Sequence, residues 1–167
     1  MEQNFKERLH HIKCFAFDVD GVLTNGQVFV TADGDLLRSM NIKDGYALEL
    51  AIKKGYRVII ISGAKQIGVA ERLKRLGVVN IFEEVRNKLK ILTDFLEKSN
   101  LSLNQTVFMG DDMPDIATMQ SCGIAACPID AVHDVKSICA YVSPAKGGEG
   151  AARDIIEQVL RLHGNWQ

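Results

Sequence analysis

Acidic, hydroxyl and basic side chains stand at four places in this chain where a hydrophobic stretch ends or a helix begins. The four places are Asp18-Val19-Asp20-Gly21, Ser62-Gly63, Lys88 and Gly110-Asp111-Asp112. Crowded carboxylates repel one another unless a cation joins them, and a ligand set made only of oxygen favours a hard ion such as Mg²⁺. A serine hydroxyl, the backbone N–H that follows it and a lysine ammonium are suited to holding a phosphoryl group. If the fold brings the four places together, they predict phosphoryl chemistry at a magnesium site.

Each of these segments has a simpler structural explanation when it is taken alone. An Asp-x-Asp-Gly sequence is common in turns, and Ser62 suits the N-terminal cap of a helix. Lys88 alone is typical of a solvated surface, and Asp111 with Asp112 can cap a helix. Only their joint occurrence at strand ends and at the facing helix start favours a functional site.

An alternation of strands and helices supplies a scaffold that can bring the segments together. The pattern predicts strands at 13–17, 57–61, 79–82, 106–109, 124–127 and 140–142, and helices that begin near 44, 65, 88, 113 and 150. Apolar, β-branched strands in repeated βα units predict an α/β fold, a Rossmann-like parallel sheet with helices on both faces. In such sheets ligands bind beyond the carboxyl ends of the strands. The four segments are therefore expected in one crevice.

A β-hairpin is expected between the first strand and the first long helix. Two strand-like runs, 27–31 and 36–40, flank an Asp33-Gly34 pair, and Asp-Gly between such runs is typical of a hairpin turn. The chain shows no internal repeat, low-complexity tract or linker, so residues 1–167 are expected to form a single domain.

Composition argues against several classes of function. The formal net charge of the 167-residue chain is -1, which offers no basic field for nucleic acid or for an anionic membrane. No apolar run is long enough to span a bilayer, and the N-terminus lacks the apolar core of a signal peptide, so a cytoplasmic protein is expected. The four cysteines follow no metal-binding spacing and are expected to be reduced, mostly buried thiols.

The same segments resemble the four ordered motifs of the haloacid dehalogenase (HAD) superfamily. The resemblance rests on residues 18–24, Ser62-Gly63, Lys88 and residues 110–115. More closely, residues 41–46 and 147–153 resemble the capless phosphatases that act on 3-deoxy-D-manno-octulosonate 8-phosphate (KDO 8-phosphate). The resemblance covers nearly the whole chain. It implies a HAD-like phosphatase domain with a β-hairpin insertion and no cap domain.

By this resemblance, Asp18 is the nucleophile of a phosphomonoesterase and forms an aspartyl-phosphate. Asp20 is implied to protonate the leaving alkoxide and then to activate the hydrolytic water. The implied Mg²⁺ ligands are Asp18, the backbone carbonyl of Asp20 and Asp111. Asp112 and Asp115 are implied to hold the metal ligands in place by hydrogen bonds, or to act as auxiliary ligands themselves.

The transferring phosphoryl group is assigned, by the same resemblance, to Ser62, Gly63 and Lys88. The next residue, Ala64, departs from the family pattern. The octulosonate enzymes generally have arginine after the Ser/Thr-Gly pair, and the related phosphatases of 2-keto-3-deoxy-nononate (KDN) 9-phosphate have glutamate there. Alanine matches neither, so the identity of the sugar stays open at this position.

A sugar-acid phosphate also presents a carboxylate and hydroxyls, so cationic residues are expected beside the phosphate site. Arg72 and Arg153 are the main candidates, and Arg72 matches a family arginine that reaches a neighbouring subunit's site. Asp44 and Gly45 belong to a motif that favours the octulosonate type. The expected substrate is therefore KDO 8-phosphate, in lipopolysaccharide precursor synthesis, with KDN 9-phosphate as the alternative.

Neither segment between the motifs, 21–61 or 63–87, is long enough to contain a separate lid domain. A small substrate in an open crevice would be poorly shielded from water, so another body must cover the site. The resemblance implies a homotetramer in which the hairpins associate and neighbouring subunits complete each site. The alternative interpretation of the 27–40 hairpin is a simple extension of the sheet edge.

Two other classes of function are compatible with parts of the pattern. A non-catalytic module that regulates a sugar cytidylyltransferase would have little need of intact catalytic motifs. A receiver-like phosphotransferase also uses an aspartyl-phosphate, but receivers carry the phospho-acceptor on a later strand than the first acidic pair. The Asp-x-Asp-Gly sequence on the first strand, together with Ser62, favours the hydrolase.

Overall fold

A six-stranded parallel sheet forms the centre of the protein in the computed structural model, which describes residues 4–167. Its strands are β1 (Cys14–Phe17), β4 (Arg57–Ile61), β5 (Asn80–Phe82), β6 (Thr106–Met109), β7 (Ile124–Cys127) and β8 (Tyr141–Val142). The helices are α1 (Phe5–Leu9), α2 (Ile42–Lys53), α3 (Ile67–Arg75), α4 (Lys88–Lys98), α5 (Ile116–Ser121), α6 (His133–Ile138) and α7 (Ala151–Leu162).

The strand order β5-β4-β1-β6-β7-β8 puts β1 between two strands that come later in the chain. Phe17, the last residue of β1, is in register with Ile60 on one side and with Met109 on the other. The residues that follow these three strands therefore leave the sheet at the same edge. The chain reverses its direction of progress across the sheet at β1, and ligands bind at such a switch point.

Helices cover both faces of the sheet, because alternate residues of each strand point to opposite sides. On one face Phe15 and Phe17 pack with residues of α2 and α7. On the other face Cys14 and Ala16 pack with Leu92 of α4 and its neighbours. This arrangement confirms the predicted α/β parallel sheet with helices on both faces.

The predicted hairpin is also present, with shorter strands than the sequence suggested. Strands β2 (Phe29–Val30) and β3 (Leu36–Leu37) pair antiparallel, and Gly34 occupies the turn with φ of 88°. Its four strand residues are large, apolar and 52–72% exposed. A two-stranded hairpin is marginal alone, so these exposed apolar side chains call for packing against another surface.

Some local features differ from the sequence-based expectations. The helices α1 and α6 were not anticipated, because five or six residues contain too few turns for a clear apolar period. The helix expected from 113 begins with a 3₁₀ turn at Met113–Asp115 before α5. All four cysteines are free thiols, and none of the helices within residues 4–167 is long and apolar enough to cross a membrane.

Candidate active site

The loop after β1 carries the first pair of acids to the edge of the sheet. The backbone N–H of Asp18 donates to the carbonyl of Met109 at 3.1 Å, which extends the β1–β6 ladder by one residue. The Val19 N–H then donates to Oδ1 of Asp18 at 2.7 Å and orients that carboxylate. At Gly21 the backbone has φ of 80°, and a Cβ there would lie 1.9 Å from Oδ2 of Asp111. Glycine is thus what allows this loop to approach Asp111 so closely.

Lys88, the first residue of α4, lies between two carboxylates. Its Nζ is 2.9 Å from Oδ2 of Asp18 and 2.7 Å from Oδ1 of Asp115, and the residue is only 6% exposed. Burial by itself lowers the pKa of Lys88, but the charges of the two carboxylates outweigh this effect and raise the pKa. The ammonium therefore stays charged at the point where a phosphoryl group would need it.

Asp115 serves the local structure with both of its carboxylate oxygens. Oδ1 accepts from Lys88, and Oδ2 accepts from the backbone N–H of Asp111 at 3.1 Å. The residue is fully buried, in the 3₁₀ turn that follows β6. Asp112 begins the same turn, and its side chain accepts from the Met113 N–H at 2.7 Å. Both acids hold the loop that presents Asp111.

Asp18 and Asp111 lie among several carboxylates in a largely buried place, which changes their pKa values. Burial is the main cause that raises the pKa of Asp18 to about 6, with repulsion from Asp115 adding to it and Lys88 opposing it. Burial likewise raises the pKa of Asp111 to about 7, and the charges of Asp18, Asp115 and Asp112 add to this. One oxygen from each of Asp18, Asp111 and Asp115 lies within 4.8 Å of the others. A divalent cation would relieve this repulsion, so the residues present fit a hard metal ion.

Asp20 has a different environment, made of hydrogen-bond donors. Arg38, which directly follows β3, donates from Nε to Oδ1 at 2.7 Å and from Nη2 to Oδ2 at 3.2 Å. Gln66 donates from Nε2 to Oδ2 at 2.6 Å, and the Thr24 hydroxyl lies 3.3 Å from Oδ1. Sequence reasoning missed Arg38 and Gln66, since neither follows a strand of the main sheet and no spacing connects them with Asp20.

Ser62 and Gly63 follow β4 and meet the acids from the other side. Ser62 is buried, its backbone N–H donates to the carbonyl of Phe82 at 2.8 Å, and its Oγ accepts from the Ala64 N–H at 3.2 Å. A crevice of about 540 Å³ opens above these residues. The predicted site residues that line it are Asp18, Asp20, Ser62, Gly63, Lys88, Asp111 and Asp112. Arg86 also lines it and was not anticipated from the sequence.

The structure does not bring Asp44, Gly45 or Arg153 to this crevice. The Asp44 carboxylate is buried and accepts from the backbone N–H groups of Gly150 at 3.2 Å and Arg153 at 2.8 Å. It therefore caps α7 from α2, and the expected contact of Asp44 with substrate stays a prediction. Burial raises the pKa of Asp44, although both N–H donors oppose this. The Arg153 guanidinium bonds Glu157 at 3.1 Å and lies 5.1 Å from the centre of the Trp166 ring.

Arg72 is exposed on α3, also outside the crevice that holds the acids. It lines a groove of about 720 Å³ between α3 and the hairpin, together with Arg38 and Gln66. Gly45 adjoins this region from α2, since a Cβ there would lie 3.3 Å from Nη2 of Arg72. Within one protomer Arg72 thus lines the groove beside the hairpin rather than the crevice that contains the acids.

The fold and the acidic crevice define the chain as a member of the HAD class of hydrolases, and residues 74–155 match the family model described as haloacid dehalogenase-like hydrolase. The 3-deoxy-D-manno-octulosonate 8-phosphate phosphatase KdsC of Salmonella typhi is 31% identical over 157 residues, which cover 94% of this chain and 84% of that protein. The KdsC of Haemophilus influenzae is 29% identical and is covered to 88%. This chain belongs to the 3-deoxy-D-manno-octulosonate 8-phosphate phosphatase family.

Solved structures agree with this assignment. The 3-deoxy-D-manno-octulosonate 8-phosphate phosphatase of Moraxella catarrhalis, in complex with a magnesium ion, a phosphate ion and KDO, has a TM-score of 0.93 and 28% identity. That match covers 96% of this chain and 92% of the other. A probable YrbI family phosphatase of Pseudomonas syringae has the same TM-score and 35% identity, with 96% and 91% coverage.

Proposed function

We propose that this protein is a Mg²⁺-dependent phosphomonoesterase that hydrolyses KDO 8-phosphate through an aspartyl-phosphate. The observation that carries the proposal is the buried ammonium of Lys88, which holds Asp18 beside Asp111 where β1 and β6 end. The family relatives that carry the name of this activity, and the Moraxella structure with magnesium, phosphate and KDO, support the choice of metal and substrate.

Asp18 is the nucleophile in this proposal. The Val19 N–H and the Lys88 ammonium each hold one oxygen of its carboxylate, so the side chain faces the crevice in one orientation. An Asp18 oxygen attacks phosphorus, the bond to the sugar oxygen breaks, and the phosphoryl group is left on Asp18. Ser62, Gly63 and Lys88 hold the oxygens of the transferring group and offset their charge.

Asp20 carries the proton in both halves of the reaction. It protonates the sugar oxygen as that oxygen leaves, and it then takes a proton from the water that attacks the aspartyl-phosphate. Released phosphate and a regenerated Asp18 carboxylate complete the cycle. The Asp18 and Asp111 carboxylates and the Asp20 backbone carbonyl would hold Mg²⁺, which neutralises charge on the phosphoryl oxygens when it is bound. Asp115 and Asp112 keep this loop in place.

Each protomer is proposed to be a single domain within a homotetramer that works in the cytoplasm, in the synthesis of lipopolysaccharide precursors. The exposed apolar side chains of the hairpin supply a surface for association. Arg72, which lies in the groove beside the hairpin, is the candidate to reach a neighbour's substrate. Asp44, Gly45 and Arg153 stay candidates for contact with the substrate, although none of them lines the crevice of one protomer.

Phosphate release measured against a panel of sugar phosphates tests the proposal. With Mg²⁺, KDO 8-phosphate is expected to give the highest kcat/KM, and KDN 9-phosphate is the second substrate to test because Ala64 lines the crevice where the two types differ. EDTA is expected to abolish turnover. Asp18→Asn removes the nucleophile and is expected to lose activity while still unfolding in one cooperative transition, which shows that the fold is intact.

The matched control is Asp134→Asn, an exposed acid of α6 that is not among the residues that line the crevice. Turnover that persists in Asp18→Asn would refute the aspartyl-phosphate mechanism. If no substrate in the panel is hydrolysed, the result would favour the non-catalytic regulatory module instead.

A further inference from the structure

Arg38 is an unusual residue of the hairpin because its side chain turns back toward the sheet. The four strand residues just before it and opposite it are 52–72% exposed, whereas the Arg38 side chain is only 8% exposed. Burying a guanidinium requires a partner of opposite charge with good geometry. That partner is the Asp20 carboxylate, whose Oδ1 accepts from Nε at 2.7 Å and whose Oδ2 accepts from Nη2 at 3.2 Å. This two-point contact fixes the plane of the carboxylate as well as its position.

The two carboxylate oxygens of Asp20 accept hydrogen bonds of unequal number and length. Oδ2 accepts from Nη2 of Arg38 at 3.2 Å and from Nε2 of Gln66 at 2.6 Å. Oδ1 accepts from Nε of Arg38 and has only a long contact with the Thr24 hydroxyl, which is also 3.4 Å from the Val19 carbonyl. Because that hydroxyl has a single proton to share, Oδ1 keeps acceptor capacity. Oδ1 is therefore the oxygen able to exchange a proton with substrate.

The direction from which Arg38 approaches leaves the reacting side open. Arg38 and Gln66 line the groove between α3 and the hairpin, and they are not among the residues that line the crevice. Asp20 lines the crevice. The guanidinium thus contacts the carboxylate from the groove and does not line the crevice, which suits a group that orients Asp20 rather than one that binds phosphate.

We propose that Arg38 is the positioning residue for Asp20: its guanidinium holds the carboxylate so that Oδ1 faces the leaving oxygen. The proposal rests on the proposed function, because it assumes that Asp20 is the proton donor. The hairpin then has two roles: it presents an apolar surface, and it carries Arg38, the residue that orients Asp20. Packing of the hairpin against a neighbour would then keep Arg38 in place.

Aryl phosphates of similar size but different leaving groups test this role without the sugar. Phenyl phosphate releases a more basic oxygen than 4-nitrophenyl phosphate and therefore needs the proton donor more. The quantity to measure is kcat/KM, which reports the steps up to departure of the leaving group. A general acid contributes about 10²- to 10⁴-fold, so Arg38→Gln is expected to lower kcat/KM for phenyl phosphate about tenfold more than for 4-nitrophenyl phosphate. Arg38→Lys keeps one charged donor and is expected to recover part of the loss.

Three variants separate failure of this proposal from failure of the proposed function. Asp20→Asn is expected to show the same leaving-group selectivity, and Arg38→Gln in that background is expected to add little. If Asp20→Asn affects both substrates equally, its role as proton donor is wrong. If Asp20→Asn is selective and Arg38→Gln is not, the role of Arg38 is wrong. Arg57→Gln, an exposed arginine at the opposite edge of the sheet, is the control for loss of a surface charge.

A crystal structure of Arg38→Gln provides the second, independent readout. The Asp20 carboxylate is expected to rotate or to occupy two orientations, while Asp18, Lys88 and Asp111 stay in place. An Asp20 side chain in the wild-type orientation would overturn the proposal whatever the kinetics show. A wild-type Tm for the variant would confirm that the fold is intact.

Discussion

Crowded carboxylates determine the electrostatics of the crevice at the scale of single residues. The pKa values of Asp18 and Asp111 are raised from 3.8 to about 6 and about 7, with burial as the main cause. A raised pKa means that the folded state binds the proton more tightly than the unfolded chain. These two acids therefore stabilise the fold at low pH, and that contribution is lost as the pH rises from about 4 through about 7.

A dependence of stability on pH and metal follows from these two pKa values. For the metal-free protein, the Tm is expected to fall between pH 5 and pH 8, because burial disfavours the ionised forms of Asp18 and Asp111 and repulsion from neighbouring carboxylates adds to this cost. Mg²⁺ is expected to raise the Tm more at pH 8 than at pH 5, since it binds the ionised acids. Thermal unfolding with EDTA or with Mg²⁺ measures both effects.

Asp111→Asn is the matched variant for this prediction, because its amide removes one charge without changing the shape of the side chain. The variant is expected to show a flatter pH profile without metal and a smaller response to Mg²⁺. An equal response to Mg²⁺ at both pH values in the wild type would contradict the prediction.

At the scale of elements, a contact between the first and the last long helices holds one side of the protein together. Asp44 in the first turn of α2 accepts from the N–H groups of Gly150 and Arg153, at the start of α7. The two helices also contribute to the same apolar core. A buried carboxylate at a helix N-terminus satisfies donors that have no partner within the helix.

Asp44→Ala is expected to lower the free energy of unfolding by about 1–2 kcal/mol, the range of a lost N-terminal cap. The cap lies in the interior, so the unsatisfied N–H groups have no ready access to water. Chemical denaturation of wild type and variant measures the change. Asp134→Ala, an exposed acid in the first turn of α6, serves as the control and is expected to change little. An Asp44→Ala protein as stable as the wild type would show that the cap is unimportant.

At the scale of the whole molecule, the hairpin exposes a cluster of large apolar side chains. Its apolar side chains stand out from a sheet whose own core is closed by helices on both faces. Phe29 and Leu37 lie opposite each other in the hairpin, and they are 72% and 54% exposed. Surfaces of this kind usually mark an interface, and here the groove that contains Arg72 adjoins it.

The double substitution Phe29→Asp and Leu37→Lys is expected to convert the proposed tetramer to smaller species and to lower activity. The physical reason is that two charges at the centre of an apolar contact would have to be desolvated. Sedimentation velocity and phosphate release are measured on the same samples. Val79→Asp, an 83% exposed apolar residue outside the hairpin, is the control that is expected to keep the assembly. A monomeric wild type with full activity would rule out sites shared between subunits.

The order of the elements and the end of each main strand could be predicted from the sequence, because buried strands and their stop residues are local patterns. The sites of Asp18, Ser62, Lys88 and Asp111 followed from that order, since parallel neighbouring strands put their carboxyl ends at one edge. Arg38 could not be predicted as a partner of Asp20. That contact depends on how the hairpin folds back over the sheet, and no local spacing encodes it.

The sequence alone therefore determined that the chain forms a parallel α/β sheet and that a set of acids, a hydroxyl and a lysine gathers at one edge of it. Only the tertiary structure decided what each charged side chain faces. It assigned Asp44 to the cap of α7 rather than to the crevice, and it brought Arg38 into contact with Asp20. The physical reason is that backbone periodicity is local, whereas the partner of a buried charge is whichever distant group the packing brings within hydrogen-bond distance.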